Sequence, residues 1–378
     1  MRILIVNSEH PPVGGGAGNA SANIAKELVK MGGEAAILTS RYKDFPIENQ
    51  VEGVRIYRCL SLRRFEDRSS PLEQLLFLLG GLTDGMRFIR EWSPDVVITF
   101  FGIPSGPIGL AAKGLFGMPY VVSLRGGDVP GFRPYDFKRM HRLLAPLIRL
   151  VWKHAGCVVA NSEGLKELAG EFAPEIPIKV IPNGVNIELF SPRKRSWEYP
   201  ELLFVGRIVY QKGLDLLIKA LSMLRNLNWH LTIVGDGPYL STIQDMAREM
   251  KINSRITFAG WVQKERIKDY YQKANIFVFP SRHEGMSNAL LEAMAMGLPV
   301  IASDIAGNDE LVVPERTGFL FEKNDLDGLT EGIRNLIEHP ELKRRYGNQS
   351  RERISTQYTW NNTAREYLNV CQDLSRVQ

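Results

Sequence analysis

The chain has 378 residues, of which 44% are hydrophobic and 24% charged, and its formal net charge is +5. This composition excludes a disordered or low-complexity chain, and the length predicts two domains that each bury a core. Neither a secretory leader nor a run of about 20 apolar residues is present, so we expect a cytoplasmic protein. The three cysteines, Cys59, Cys157 and Cys371, lack CxxC spacing and predict no disulfide framework.

In the first half, short apolar runs typical of buried parallel strands alternate with helical patterns. The predicted strands are 2–6, 35–38, 54–57, 96–100, 120–123, 157–160 and 179–181, and the first predicted helix is 20–31. Residues 191–200, SPRKRSWEYP, are charged, lie between prolines and lack periodicity. They are interpreted as an interdomain linker.

The same alternation starts again after the linker. Predicted strands are 201–205, 231–234, 255–258, 276–279 and 300–302, and predicted helices are 214–224, 240–250, 267–272 and 287–296. The expected fold class is therefore α/β, with two Rossmann-like doubly wound domains, 1–190 and 201–357, that face a cleft at the strand ends. The helical tail, 358–378, either closes the second domain or crosses back to the first.

The most informative segment is 283–300, HEGMSNALLEAMAMGLPV. A loop carrying Glu284 leads into a helix capped by Ser287 or Asn288, and the backbone amides of Gly285, Met286, Ser287 and Asn288 can bind a diphosphate. Glu292, about 10 Å from Glu284, could meet a ribose while Glu284 meets a sugar. Because Glu292 lies in an apolar run, its carboxylate needs a partner. The alternative is a capped core helix with two incidental glutamates.

Two cations form the second candidate site. Arg207 and Lys212 lie in the loop that follows a strand ending at Gly206. Cations fixed at a strand end suit a diphosphate leaving group, whose negative charge grows as its bond breaks. The alternative is a pair of ordinary surface cations.

A glycine-rich loop, Gly14-Gly15-Gly16, separates the first strand from the first helix. Asn19 stands where the dinucleotide fingerprint requires glycine or alanine, so the loop matches an NAD-binding enzyme poorly. A flexible turn is the alternative interpretation.

Glu-x7-Glu within SRHEGMSNALLEAMAMGLPVIASD resembles glycosyltransferase family four, the retaining transferases with the GT-B fold. The resemblance extends over nearly the whole chain and includes PDVVITFFGIPSG, IPNGVNIELF, LLFVGRIVYQKGLDLLIKAL and VGDGP. It implies that Arg207, Lys212 and Glu284 are catalytic. It also implies a donor-binding set of Gly15, Gly16, Gly206, Arg207, Lys212, Glu284, Gly285, Met286, Ser287, Asn288 and Glu292.

Arg125 departs from the family pattern. Many relatives carry histidine here, in a pattern like His-Gly-x-Asp that ends, in this chain, at Asp128. Arginine stays protonated and cannot be a general base. We expect Arg125 to bind a phosphate, an acidic sugar or an acceptor, and Asp128 to bind a hydroxyl. An internal Arg–Asp pair is the alternative.

Three further patterns have plain interpretations. Asp325-Leu326-Asp327 spells DxD but is interpreted as a helix cap. The six histidines show no metal-ligand spacing, so no metal is expected. Residues 137–152 predict an amphipathic basic helix, either a core helix with a solvated face or a peripheral contact with anionic membrane.

Together these features and the resemblance predict a glycosyltransferase that needs no metal or other cofactor, and the resemblance implies that it retains the anomeric configuration. It would move a sugar from a UDP- or GDP-sugar to an acceptor hydroxyl, in the synthesis of a glycan, a glycolipid or a small glycoside. Two alternatives stay open: a nucleotide-sugar epimerase on the same fold and a non-catalytic nucleotide-sugar-binding protein. Nucleic acid is not an expected partner, because no basic patch with interleaved aromatic residues is present.

Overall fold

The computed structural model describes residues 1–61, 63–66, 69–132, 134–192 and 199–376, and of residues 134–138, 264 and 265 only the backbone. The chain forms two compact units, Met1–Gly184 with Trp360–Gln378, and Val185–Thr359. The division at Gly184 precedes the linker predicted at 191–200, of which residues 193–198 lie outside the described part.

The strands, in chain order, are β1 (Arg2–Val6), β2 (Glu34–Ser40), β3 (Glu48–Val51), β4 (Val54–Cys59), β5 (Val96–Phe100), β6 (Tyr120–Ser123), β7 (Cys157–Ala160), β8 (Ile178–Val180), β9 (Glu201–Val205), β10 (His230–Val234), β11 (Ile256–Gly260), β12 (Ile276–Phe279), β13 (Val300–Asp304) and β14 (Gly318–Glu322). The α-helices are α1 (Gly16–Lys30), α2 (Pro71–Gly80), α3 (Met86–Trp92), α4 (Gly106–Phe116), α5 (Pro134–His154), α6 (Glu163–Phe172), α7 (Leu214–Met223), α8 (Leu240–Glu249), α9 (Lys264–Lys273), α10 (Asn288–Ala295), α11 (Leu326–Glu338), α12 (Pro340–Gln357) and α13 (Trp360–Arg376).

The sheet of the first unit has the order β3-β4-β2-β1-β5-β6-β7-β8. All neighbours are parallel except β3, which pairs antiparallel with β4. The central strands are apolar because helices cover both faces of a parallel sheet. Strand β3 was not predicted, since its residues ENQV form no apolar run and are mostly exposed.

The C-terminal helix α13 packs in the first unit. Its residues Ala364 and Tyr367 belong to the same buried cluster as Ile24 and Leu28 of α1. The predicted helical tail therefore forms a helix of 17 residues, and burial of its apolar stripe holds it in the first unit.

The sheet of the second unit is parallel throughout, with the order β11-β10-β9-β12-β13-β14. The strand predicted at 300–302 extends to Asp304, and β14 beside it was missed. Strand β14 begins at Gly318, where a Cβ atom would lie 1.9 Å from the carbonyl oxygen of Val300. Only glycine allows β14 to approach β13 this closely. The same glycine interrupts the apolar run by which a strand is predicted.

Candidate active site

The strand order of the second sheet reverses between β9 and β12, which are neighbours although far apart in sequence. In open α/β sheets, ligands bind outside the carboxyl ends of the strands at such a switch point. The loop after β9 carries Gly206, Arg207 and Lys212, and the loop after β12 carries Glu284. The topology therefore brings both predicted constellations to one edge of the sheet.

Lys212 and Glu284 contact each other directly. Lys212 Nζ lies 2.5 Å from Glu284 Oε1, and the two side chains are only 16% and 10% exposed. The ammonium also lies 4.9 Å from the centre of the Phe279 ring. Partial burial strengthens this charge-assisted hydrogen bond, so a cation and a carboxylate are held as one unit at the switch point.

A second ion pair, which the sequence analysis missed, connects the same two loops. Arg282 binds Asp215 at the start of α7 through two parallel hydrogen bonds. Arg282 Nη1 also donates to the carbonyl oxygen of Tyr210 at 2.6 Å, and Arg282 Nε donates to Asn324 Oδ1 at 2.8 Å. Because Tyr210 precedes Lys212 and Arg282 precedes Glu284, this network fixes the two functional loops relative to each other.

The helix predicted after Glu284 is α10, and Ser287 is its N-cap. Ser287 Oγ accepts a hydrogen bond from the backbone amide of Leu290 at 3.4 Å, while Asn288 is the first helical residue. The positive end of the helix dipole therefore points toward the loop that carries Glu284. Gly285 in that loop packs tightly against Gly307, where a Cβ atom would lie 1.5 Å from the Gly285 carbonyl oxygen.

The partner that Glu292 requires is Tyr271. The Tyr271 hydroxyl lies 3.0 Å from Glu292 Oε2 and 3.2 Å from the carbonyl oxygen of Ala289. Burial raises the pKa of Tyr271, and the charge of Glu292 and the hydrogen bond to it act in the same direction. The phenol therefore stays protonated and donates to the partly buried carboxylate.

In the first unit, the glycine-rich loop meets an acidic side chain. The Gly15 amide, at the N-cap of α1, donates to Glu9 Oε2 at 3.2 Å. Gly14 adopts φ +93°, and a Cβ atom there would lie 2.5 Å from Glu9 Cβ. A glycine is thus required at Gly14, and a phosphate that binds the Gly15 amide would have to displace the Glu9 carboxylate.

Arg125 and Asp128 lie in the loop after β6, but their side chains do not form the internal ion pair considered as an alternative. Asp128 accepts hydrogen bonds from the backbone amides of Arg125 at 2.9 Å and Gly102 at 2.7 Å. Burial raises the pKa of Asp128, whereas these amides act to lower it. The Arg125 guanidinium contacts Asn183 and Tyr367 instead.

The structure also bears on the predicted helix cap at Asp325 and on the cysteines. Asp325 caps α11 by accepting from the amides of Asp327 and Gly328, as predicted. All three cysteines are free thiols.

Within the described ranges, no group of three His, Cys, Asp or Glu side chains could hold a metal ion. In the same part of the chain, no helix has the length and apolarity needed to cross a bilayer.

Comparisons with known proteins give the class of the chain. Residues 187–353 match the model of the glycosyl transferases group 1, and residues 15–184 match the glycosyl transferase 4-like domain. An uncharacterized glycosyltransferase of Methanocaldococcus jannaschii is 28% identical, with 98% of this chain and 97% of that protein covered. A GDP-mannose-dependent alpha-(1-6)-phosphatidylinositol monomannoside mannosyltransferase of Mycobacterium tuberculosis is 25% identical, with 96% of each chain covered.

Solved structures share the fold over the full length. Sucrose-phosphate synthase of Thermosynechococcus elongatus has a TM-score of 0.88 at 22% identity, with 100% of both chains covered. HepE of Anabaena, solved in complex with UDP-glucose, has a TM-score of 0.77 at 19% identity, again with 100% of both chains covered.

The chain has two α/β units with mainly parallel sheets, and it matches two glycosyltransferase models. These findings define it as a glycosyltransferase that uses nucleotide sugars. More narrowly, it belongs to glycosyltransferase family four, with the GT-B fold. The fold and family expected from the sequence are confirmed.

Proposed function

We propose that the protein transfers a sugar from a UDP- or GDP-sugar to an acceptor hydroxyl, with retention of the anomeric configuration and without a metal. The observation that carries this proposal is the ion pair between Lys212 and Glu284 at the switch point of the second sheet. It joins a cation suited to a phosphate with a carboxylate suited to sugar hydroxyls. UDP-glucose in HepE and the GDP-mannose dependence of the mycobacterial relative support the choice of nucleotides.

In the proposed reaction, the bond between the anomeric carbon and the diphosphate oxygen breaks, and the acceptor oxygen bonds to the same carbon. The acceptor proton passes to an oxygen of the departing diphosphate. Lys212 keeps N–H donors for this diphosphate beyond the one used for Glu284. Arg207, which is exposed in the same loop, adds a second positive charge. Both cations stabilise negative charge that grows only as the bond breaks.

The remaining residues are proposed to bind and orient the donor. Glu284 accepts hydrogen bonds from the sugar, and Glu292 accepts them from the ribose. Backbone groups of the second unit approach the phosphates: Gly206, Gly285, Met286, Ser287 and Asn288. A donor contact is also proposed for Gly15 and Gly16 of the first unit. Movement of the Glu9 carboxylate away from Gly15 is part of this proposal for the glycine-rich loop.

Isothermal titration with UDP and GDP tests the donor site. Lys212→Gln should weaken binding of the correct nucleotide at least tenfold, because a phosphate contact of this kind is worth about 1.5–3 kcal/mol. Lys219→Gln, an exposed lysine on α7, removes the same charge and should leave binding unchanged. Equal affinities of wild type and Lys212→Gln would overturn the proposed role of this lysine.

Incubation with a UDP-sugar and no acceptor separates transfer from epimerisation, because only an epimerase converts the sugar without an acceptor. NMR of a transfer product reports the anomeric configuration. Full activity after exhaustive dialysis against EDTA is expected, since Lys212 and Arg207 supply the positive charge that a metal would otherwise provide. Loss of activity that Mg²⁺ or Mn²⁺ restores would contradict the metal-free mechanism.

A peripheral contact with anionic membrane is proposed for α5. Ile148, Val151 and Trp152 bury one face of this helix, which is the core role considered for residues 137–152. Leu143 and Leu150, however, are 81% and 45% exposed, and each lies next to an exposed arginine, Arg142 and Arg149. Exposed leucines next to cations suit anionic lipid, and a cytoplasmic location would fit three free thiols. Flotation with phosphatidylglycerol vesicles should be lost in Leu143→Glu.

A further inference from the structure

The carboxyl edge of the first unit's sheet holds a cation that only neutral groups contact. Arg125 Nη1 donates to Asn183 Oδ1 at 2.7 Å, and Arg125 Nη2 donates to Tyr367 Oη at 3.2 Å. The Cζ atom of the guanidinium lies 3.9 Å from the centre of the Phe100 ring. Burial raises the pKa of Tyr367, so its phenol remains protonated and uncharged.

The nearby carboxylate of Asp128 is engaged elsewhere. Its Oδ1 and Oδ2 accept from the backbone amides of Arg125 and Gly102, respectively, and not from the guanidinium. Across the described ranges, no carboxylate forms a salt bridge with Arg125. Burial lowers the pKa of Arg125, and the charge of Asp128 opposes this only through space. A desolvated cation without a directly contacting anion is unfavourable, and an anionic ligand would supply that contact.

Unsatisfied polar atoms gather at the same edge. Arg125 Nε is buried and has no hydrogen-bond partner. The same holds for Ser105 Oγ, which follows β5, and for Asn161 Oδ1, which follows β7. Strands β5, β6 and β7 are adjacent, so three unsatisfied atoms follow three neighbouring strand ends. Buried polar groups are normally satisfied by protein, water or ligand.

We propose that this edge binds the acceptor through an anionic group, a phosphate or a carboxylate, which Arg125 receives. Arg125 as a whole residue is only partly exposed, and its Nε atom is buried. The planar guanidinium of arginine can donate two parallel hydrogen bonds to two oxygens of a phosphate or carboxylate. The inference rests on the proposed transferase function, because it names the class of acceptor. It assigns the guanidinium to the acceptor, since Lys212 and Arg207 of the other unit are proposed to serve the donor phosphates.

Isothermal titration with three probes tests the proposal: glucose 6-phosphate, glucuronate and glucose, each in the presence of saturating UDP or GDP, whichever binds. Wild type should bind one of the two anionic probes at least tenfold more tightly than glucose, and the stronger anion identifies phosphate or carboxylate. Arg125→Gln should abolish this preference. Arg125→Lys should reduce it at least threefold, because an ammonium cannot donate the two parallel hydrogen bonds of a guanidinium. Arg87→Gln, an exposed arginine of the same unit, should change nothing.

The nucleotide titration keeps this inference separate from the proposed function. If neither UDP nor GDP binds the wild type, the proposed function fails and the acceptor assignment fails with it. If the nucleotide binds but the anionic probes show no preference over glucose, or keep it in Arg125→Gln, only the acceptor assignment is wrong. It is also wrong if Arg125→Gln weakens the nucleotide itself tenfold, because the guanidinium then serves the donor.

Thermal unfolding without ligand distinguishes recognition from a structural role. Arg125→Met removes an uncompensated charge and keeps the aliphatic contact with Phe100, so its Tm should equal or exceed that of wild type. A Tm lowered by more than a few degrees would mean that Arg125 mainly ties β6 to α13. If Arg125→Gln does not fold, the smaller preference of Arg125→Lys for the anionic probe decides the question alone.

Discussion

Arg282 and Asp215 form a bidentate ion pair that holds the start of α7 against the loop after β12. Nη1 lies 2.9 Å from Oδ1 and Nη2 lies 2.8 Å from Oδ2. The guanidinium also stacks on Tyr210, with its Cζ atom 4.0 Å from the ring centre. Since Lys212 and Glu284 lie in the two segments so joined, the pair is a structural support for the proposed donor site.

Arg282→Gln should destabilise the protein by about 3–5 kcal/mol, because it leaves the carboxylate of Asp215 buried without its cation. The two side chains are only 10% and 13% exposed. Urea unfolding measures the change. The matched control is Arg248→Gln, whose ion pair with Asp245 is 63% and 59% exposed. This exposed pair should contribute less than about 0.5 kcal/mol, so similar losses in both variants would refute the structural argument.

Glu284→Gln should separate sugar binding from nucleotide binding. The amide keeps the size of the side chain but loses the charge that pairs with Lys212. Lys212 stays available to the diphosphate, so the Kd for UDP or GDP should change less than about threefold. The transfer rate should fall by about 10²-fold or more, because the sugar loses a charged acceptor of hydrogen bonds. A large loss of nucleotide affinity with an unchanged transfer rate would reverse the assignment of the two residues.

Much of this architecture could be predicted from the sequence. Strands such as β1, β5 and β9 are buried on both faces, so each appears as a continuous apolar run with clear ends. Within each sheet, the loops that follow the strands could be placed at one edge, because the carboxyl ends of parallel strands meet there. The sequence therefore predicted two donor-site segments at strand ends, one with Lys212 and one with Glu284, but not the direct contact between these two side chains.

Side-chain contacts between residues that are far apart in the sequence could not be predicted. Asp215 and Arg282 are 67 residues apart, and each alone is an ordinary charged residue in the sequence. The need of Glu292 for a partner was evident from its apolar surroundings, but nothing marked Tyr271 as that partner. Likewise, the contacts of Arg125 with Asn183 and Tyr367 depend on how β8 and α13 pack.

Glu292→Ala should weaken binding of UDP or GDP about tenfold and leave the affinity for inorganic pyrophosphate unchanged, because the carboxylate is proposed to meet the ribose. Tyr271→Phe removes one hydrogen bond to this carboxylate, an effect of about 1–2 kcal/mol on stability. Calorimetric titration of both ligands checks the prediction. Equal losses for the nucleotide and for pyrophosphate would place Glu292 near the phosphates or show a general disturbance of α10.

Gly307→Ala should disturb the loop of Glu284 and reduce both stability and transfer. Its φ is +85°, and the new Cβ atom would lie 1.5 Å from the carbonyl oxygen of Gly285, so the backbone must move. Gly260→Ala is the matched control, with φ +68° but no atom within 4 Å of the new Cβ. The control should lose only about 1 kcal/mol from backbone strain. If both variants behave alike in urea unfolding and in the transfer assay, the close contact of the two loops has no functional role.

His10 should make the protein less stable as the pH falls below neutrality. Burial, aided by the charge of Arg58, lowers the pKa of His10 from 6.5 to about 4, although the hydrogen bond to the Pro11 carbonyl opposes this. The unfolded chain therefore binds a proton between these values while the native protein does not. Stability is complete above pH 6.5 and declines toward pH 4, by at most about 3 kcal/mol.

Urea unfolding at pH 7.5, 6 and 5 measures this effect for wild type, His10→Gln and the control His154→Gln, in which an exposed histidine is replaced. Carboxylates also respond to acid, so the informative quantity is the difference in pH dependence between variants. His10→Gln should lose less stability than wild type between pH 7.5 and 5, because glutamine takes up no proton. His154→Gln should follow the wild-type curve. Parallel curves for wild type and His10→Gln would mean that His10 titrates normally in the folded protein, and that its burial does not suppress the charged form.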